Sequence, residues 1–181
     1  MGFNIALQKL SETDFKFIVD NGKRSSVLNG FDFESLIYCR WKFLKERLPE
    51  LQQLGDFELL VLELFADRGI NLFRPDVSNM DSNDVFSLVL WVKDQMESIS
   101  KMEQEFLVSD TDPDMMAAGI NELQQFGDLN TIDQLAGGDI LKYDAVKSLR
   151  YNVIFDKQYK MNVEAKIQKK LIKIQSSKNK K

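Results

Sequence analysis

The chain of 181 residues carries 24 Lys or Arg against 28 Asp or Glu, a formal net charge of −4, with 44% hydrophobic residues and no histidine. That content is enough for one domain with an ordinary core, while the missing histidine removes Ser-His-Asp and Cys-His catalysis, histidine metal sites and the commonest general base. A single cysteine, three prolines and nine glycines exclude an intrachain disulfide and favour long regular elements over a turn-rich β fold.

Met1-Gly2-Phe3-Asn4-Ile5 leads directly into polar residues, so no signal-peptide succession opens the chain, and no apolar run approaches the ~18–20 residues that span a bilayer. The expectation is a soluble protein that stays on the side of synthesis. Residues 4–10 predict a short helix, and Ser11, with Asp14 at capping-box spacing, opens another; part of residues 15–19 also suits a strand. Asp20-Asn21-Gly22 reads as a stop.

From Phe33 the pattern sharpens. Phe33, Ile37, Trp41, Leu44, Leu48 and Leu51 recur at intervals of three and four and mark one apolar helix face. Pro49 is expected to kink or divide that helix. Cys39 lies in this apolar context beside Tyr38 and reads as a small buried hydrophobe. Arg40, Lys42, Lys45 and Arg47 read as a solvated face. Residues 57–67 follow a Gly55-Asp56 break and are apolar nearly all round, the mark of a central helix. Residues 69–81, containing Arg74-Pro75-Asp76, predict an ordered loop with a short extended piece at 70–73.

Asp81 or Ser82 can cap a long helix running to about Leu107, in which Val85, Val89, Val92, Met96, Ile99 and Phe106 keep near-heptad spacing. With about three heptads, a bundle-core helix is favoured over a coiled-coil seam. Pro113 opens a further helix that ends near Phe126-Gly127. Residues 131–136 predict a short helix closed by Gly137-Gly138, residues 140–147 another segment, and residues 149–175 a long final helix, with residues 176–181 frayed.

Two stretches resemble ligand loops and fail on inspection. Asp110-Thr111-Asp112-Pro113-Asp114 has alternating acids suited to calcium, but Met115 stands where the turn needs glycine and Asn121 where a bidentate carboxylate is required; helix capping explains the acids. Gly137-Gly138-Asp139 lacks the Lys-Ser/Thr of a phosphate loop, and Asp139 would repel phosphate, so it reads as a turn with Asp139 capping the next helix. No cofactor and no catalytic constellation emerge, and the chain is read as a non-enzyme.

The charge is divided along the chain. Residues 142–181 hold 12 Lys or Arg against 3 acids, net +9, whereas residues 1–141 hold 12 bases and 25 acids, net −13. The predicted architecture is therefore all-α, a multi-helix bundle with an acidic helical body (1–141) and a basic C-terminal helical arm (142–181), whose long final helix protrudes from the body, the whole forming one folding unit. Along that helix Tyr151, Phe155, Tyr159, Val163, Ile167 and Leu171 recur every four residues. Each step overshoots a full turn by ~40°, so the line swings about 200° around the axis. The near half, with Ile154, is expected to pack on the protein's own body. In the far half, Lys166, Ile167, Lys169, Lys170, Leu171, Lys173 and Ile174 form a candidate interface. Three readings of it stand: a solvated lysine face, insertion between copies in a heterologous contact that closes a ring, or contact with nucleic-acid phosphates, which a pI near 5.0 disfavours. Membrane-surface binding is the weakest, because the aromatic residues lie at the wrong end of the basic stretch.

Trp91-Val92-Lys93, Met102-Glu103-Gln104-Glu105-Phe106-Leu107, Ala117-Ala118-Gly119-Ile120, Phe126-Gly127, the run from Asn130-Thr131-Ile132-Asp133 through Gly137-Gly138-Asp139-Ile140-Leu141-Lys142, and Tyr151-Asn152-Val153-Ile154-Phe155 resemble small structural or assembly proteins. These are encoded in the morphogenesis regions of tailed phages that infect Bacteroides and relatives, including crAss-like phages. The resemblance covers residues 91–175. It implies no catalytic residues. It implies a virion structural protein, made in the host cytoplasm and present in many copies at the head-tail connector or tail, with itself and other virion proteins as partners. An assembly chaperone absent from the mature particle, or a virion protein touching DNA nonspecifically through the arm, are the alternatives.

Overall fold

The structure, a computed structural model, describes residues 21–108 and 113–178. The helices and strand expected before Asn21, the acids Asp110 and Asp112, and the last three residues lie outside the described residues. Among the described residues the fold is all-α apart from one two-stranded hairpin, and the chain divides into two compact units at Ser100/Lys101. That division falls inside a helix, and the charge boundary at 141/142 falls inside the second unit.

The first unit opens with β1 (Val27–Leu28) and β2 (Phe31–Asp32), paired antiparallel. Asn29 and Gly30 join them with positive φ of 50° and 78°, the left-handed pair that a two-residue hairpin turn demands. The helix expected from Phe33 begins later. Glu34 sits at φ 54° and breaks the register, and only a 3-10 turn, Leu36–Tyr38, with the Ser35 side chain as cap, precedes the helical residues from 41 onward. Phe33, Trp41, Leu44, Leu48 and Leu51 are nevertheless all buried. Pro49 does not divide the helix, which runs without a break from residue 41 to Leu54. A π-helical turn, Phe43–Arg47, runs into α1 (Leu48–Leu54), and the Leu48 N–H donates to the carbonyl of Phe43. The proline ring would crowd the carbonyl four residues back, and widening the turn before it lets the chain stay helical.

Asp56 accepts the Leu59 N–H at 2.9 Å and starts α2 (Phe57–Asp67), whose Leu60, Val61, Leu64 and Phe65 are buried. Burial of this kind contributes ~1.5–3 kcal/mol for each large side chain. Basic residues ahead of and on the preceding helix are tied to α2: Arg40 pairs with Asp67 at 2.8 Å, and Arg47 grips Glu63 through two nitrogens at 2.7 and 2.5 Å. Burial beside this cluster pushes the Cys39 thiol up to about 12, so Cys39 stays a neutral core group. Residues 74–78 are a short helix, α3 (Arg74–Ser78), where a loop was expected. Pro75 fits its first turn, and the Asp76 carboxylate accepts the Phe73 N–H at 2.7 Å.

The long helix α4 (Ser82–Phe106) is capped by Asp81, which accepts the Asn83 and Asp84 N–H groups. Val85, Leu88, Leu90, Val92 and Ile99 are buried, a burial arc wider than a heptad seam and proper to a bundle helix. Around Phe33 the rings of Phe31, Phe65 and Trp91 gather at centroid distances of 4.8, 4.8 and 6.4 Å.

In the second unit the helix expected from Pro113 is interrupted. α5 (Pro113–Ala117) is followed by Gly119, whose φ of 87° breaks the helix, and a 3-10 segment, Ile120–Phe126, continues. α6 (Asp128–Ala136) is closed by Gly137 at φ 68°. Asp139 accepts the Leu141 N–H at 3.1 Å and opens the 3-10 turn Ile140–Lys142, leading to α7 (Tyr143–Lys147) and then α8 (Tyr151–Lys178). The helix runs past Ser176, where fraying was expected, to Lys178, with the Ser176 and Ser177 hydroxyls donating to carbonyls three residues back; residues 179–181 lie outside the described residues.

Candidate interaction surface

The first eleven residues of α8 are held by the second unit. Tyr151 and Ile154 are buried. The Tyr151 hydroxyl donates to Glu103 at 2.6 Å, and burial together with that carboxylate raises the phenol above its ordinary range. Phe106, at the end of α4, meets Phe155 and Tyr159 edge-on at 6.4 and 5.5 Å, the arrangement favoured by the ring quadrupoles. Gln158 donates to the Thr131 hydroxyl at 3.2 Å. Asn162 then donates to the carbonyls of Phe106 and Leu107 at 3.2 and 2.8 Å, supplying partners for acceptors that a helix C-terminus leaves open.

Beyond Asn162 the character of the helix changes. Every residue from 163 to 178 is exposed, over a length of about 24 Å at 1.5 Å per residue. All seven sequence-predicted interface residues stand here: Lys166, Ile167, Lys169, Lys170, Leu171, Lys173 and Ile174. Ile167, Leu171 and Ile174 are 51, 46 and 51% exposed. At ~100° per residue, Val163, Ile167, Leu171 and Ile174 fall within an arc of about 80°, and the four lysines occupy the adjoining arc of about 100°. The lysine arc lies on the side that Tyr151, Phe155 and Asn162 use for packing in the near half. The winding of the ladder therefore turns the packing face into a basic face and carries the apolar stripe clear of it. Ile172, also exposed, lies off both arcs and was not anticipated.

A second exposed apolar surface in this unit escaped sequence reading. Every residue from 121 to 130 is exposed, and Leu123, Phe126 and Leu129 recur at steps of three, with Met115 and Met116 exposed on α5. A 3-10 helix superposes side chains three apart, so Leu123 and Phe126 share one face. The Asn130 amide donates to the Leu123 carbonyl at 2.6 Å and fastens the start of α6 to this segment. A helix was foreseen here, and a helical period predicted no unburied face. Burial explains the contrast between the units: among the described residues, Ile132, Ala136, Val146, Tyr151 and Ile154 are the buried apolar side chains of the second unit, while the first unit holds most of the core.

Among the described residues no cluster of three or more His, Cys, Asp or Glu is placed to hold a metal ion, and no helix is long and apolar enough to cross a membrane. Two tyrosines of the second unit donate to carboxylates, Tyr151 to Glu103 and Tyr143 to Asp133 at 2.5 Å; burial and then the Glu103 bond raise the Tyr151 phenol, the Asp133 bond raises that of Tyr143, and both stay protonated. Comparison with protein-family models, curated proteins and solved structures gives no match.

Proposed function

We propose that the protein is a non-enzymatic structural component that assembles with copies of itself through the far half of α8, and that its setting is a phage virion, at the head-tail connector or tail. One observation carries the first part: an ordered helix whose residues 163–178 are all exposed, with an apolar stripe beside a lysine arc. Exposed contiguous apolar surface of this kind marks interaction sites. The resemblance of residues 91–175 to phage morphogenesis proteins supports the second part.

Light scattering across a concentration series tests the assembly. The full chain is expected to rise above its 20.9 kDa monomer mass as concentration increases, and a chain ending at Val163 is expected to stay monomeric. A truncated chain that assembles like the full one overturns the proposal. Mass spectrometry of purified particles tests the setting, because a structural component is retained at fixed copy number and an assembly chaperone is lost.

A further inference from the structure

The second unit carries two exposed apolar surfaces of opposite charge. Residues 102–141 contain nine acids (Glu103, Glu105, Asp110, Asp112, Asp114, Glu122, Asp128, Asp133 and Asp139) and no Lys or Arg. Their net charge of −9 equals in magnitude the +9 of residues 142–181. Both segments leave large apolar side chains uncovered: Met115, Met116, Leu123, Phe126 and Leu129 in the acidic one; Val163, Ile167, Leu171 and Ile174 in the basic one. Within one copy these surfaces do not cover each other, since each remains exposed.

We infer that the acidic surface formed by α5, the 3-10 segment and the start of α6 is the receptor for the far half of α8 from a second copy of the chain. This rests on the self-assembly proposed above and names its other half. The occupant is a second copy because the same chain supplies both the opposite charge and an exposed apolar stripe able to cover this surface. Lys166, Lys170 and Lys173 border one side of the helix's apolar stripe, so the stripe can seat on Leu123 and Phe126 while these lysines reach Glu122 and Asp128, the exposed acids nearest them along the chain. Methionines at 115 and 116 suit a surface that receives a helix, because the unbranched thioether adapts to the shape of its partner. Complementary charge then sets orientation and suppresses the alternative of two basic helices pairing with each other. Donor and acceptor are different surfaces, so the contact is heterologous and propagates from copy to copy until the rotation closes a ring.

A capped pair tests this directly. One variant, Lys166→Glu/Lys170→Glu/Lys173→Glu, loses the donor; the other, Glu122→Lys/Leu123→Lys/Phe126→Lys, loses the acceptor. All six positions are exposed, and circular dichroism checks that helix content is kept. Each variant alone is expected to be monomeric at concentrations where the wild-type chain assembles. Their equimolar mixture is expected to yield dimers and nothing larger, because the acceptor variant still offers its tail and the donor variant still offers its receptor. A milder acceptor variant, Glu122→Lys alone, is expected to weaken assembly at least several-fold and to make it less sensitive to salt. If the wild-type chain assembles, the donor variant does not, and both acceptor variants assemble as wild type, the receptor inference is overturned while α8-mediated assembly stands. A wild-type chain that stays monomeric throughout overturns both.

Discussion

Tyr151 is buried at the start of α8 with its hydroxyl on Glu103, and its raised phenol has a consequence for alkaline stability. The folded chain holds a proton that the unfolded chain releases near pH 10, so stability falls as pH rises past about 10. Cys39, raised to about 12 by burial, acts in the same direction from about pH 8.5, where an unfolded thiol ionises. Urea midpoints for Tyr151→Phe should show a loss of about 1–2 kcal/mol at pH 7, from the missing hydrogen bond. They should also show a shallower decline above pH 10; a decline as steep as wild type would mean that Tyr151 does not titrate as its surroundings imply. In the first unit Phe33 stands among Phe31, Phe65 and Trp91. Phe33→Ala should therefore cost about 3–5 kcal/mol, read as a lowered unfolding midpoint.

Gly137 closes α6 at φ 68°, and a Cβ added there meets nothing within 4 Å. Gly137→Ala should thus cost about 1–2 kcal/mol, purely from the left-handed backbone, measurable as a lower thermal midpoint with unchanged helix content. Elements bounded by such punctuation were legible in sequence. Asp56 marks the start of α2 and Asp81 that of α4, and both carboxylates make the capping bonds their positions predict. Elements that depend on local backbone geometry were less legible. Asn29-Gly30 is a hairpin signal, yet the two-residue strands around it are too short to show alternation. Phe33 kept the helical spacing of Trp41 and Leu44 but reaches the core from an irregular segment, because burial at intervals of three and four does not require a continuous helix. Pro75-Asp76 reads equally as loop or as helix start, and the Asp76 bond to the Phe73 N–H decides for the helix.

At the scale of the whole molecule, the charge division at 141/142 and the structural division at Ser100 do not coincide. Sequence placed the basic helix against an acidic body of 141 residues. Much of that acidity lies inside the second unit itself, on the segment without a single base. The far half of α8 was legible because the four-residue ladder fixes where its apolar line must wind. The receptor surface was not, because exposed Met115, Leu123 and Phe126 have the same spacing that buried ones would have. If the lysines acted instead as a nonspecific DNA contact, affinity for duplex would fall steeply with salt. With an acidic protein whose lysine arc serves the self-assembly proposed above, binding to duplex at physiological salt should be weak and unchanged by Lys166→Glu/Lys170→Glu/Lys173→Glu.

The most direct measurement is amide hydrogen exchange of the full chain at low and high protein concentration. Amides of residues 163–178 should exchange quickly in dilute solution and become protected as the chain assembles, together with those of residues 115–129. Protection in 163–178 that does not change with concentration, under conditions where oligomers form, would contradict assembly through α8.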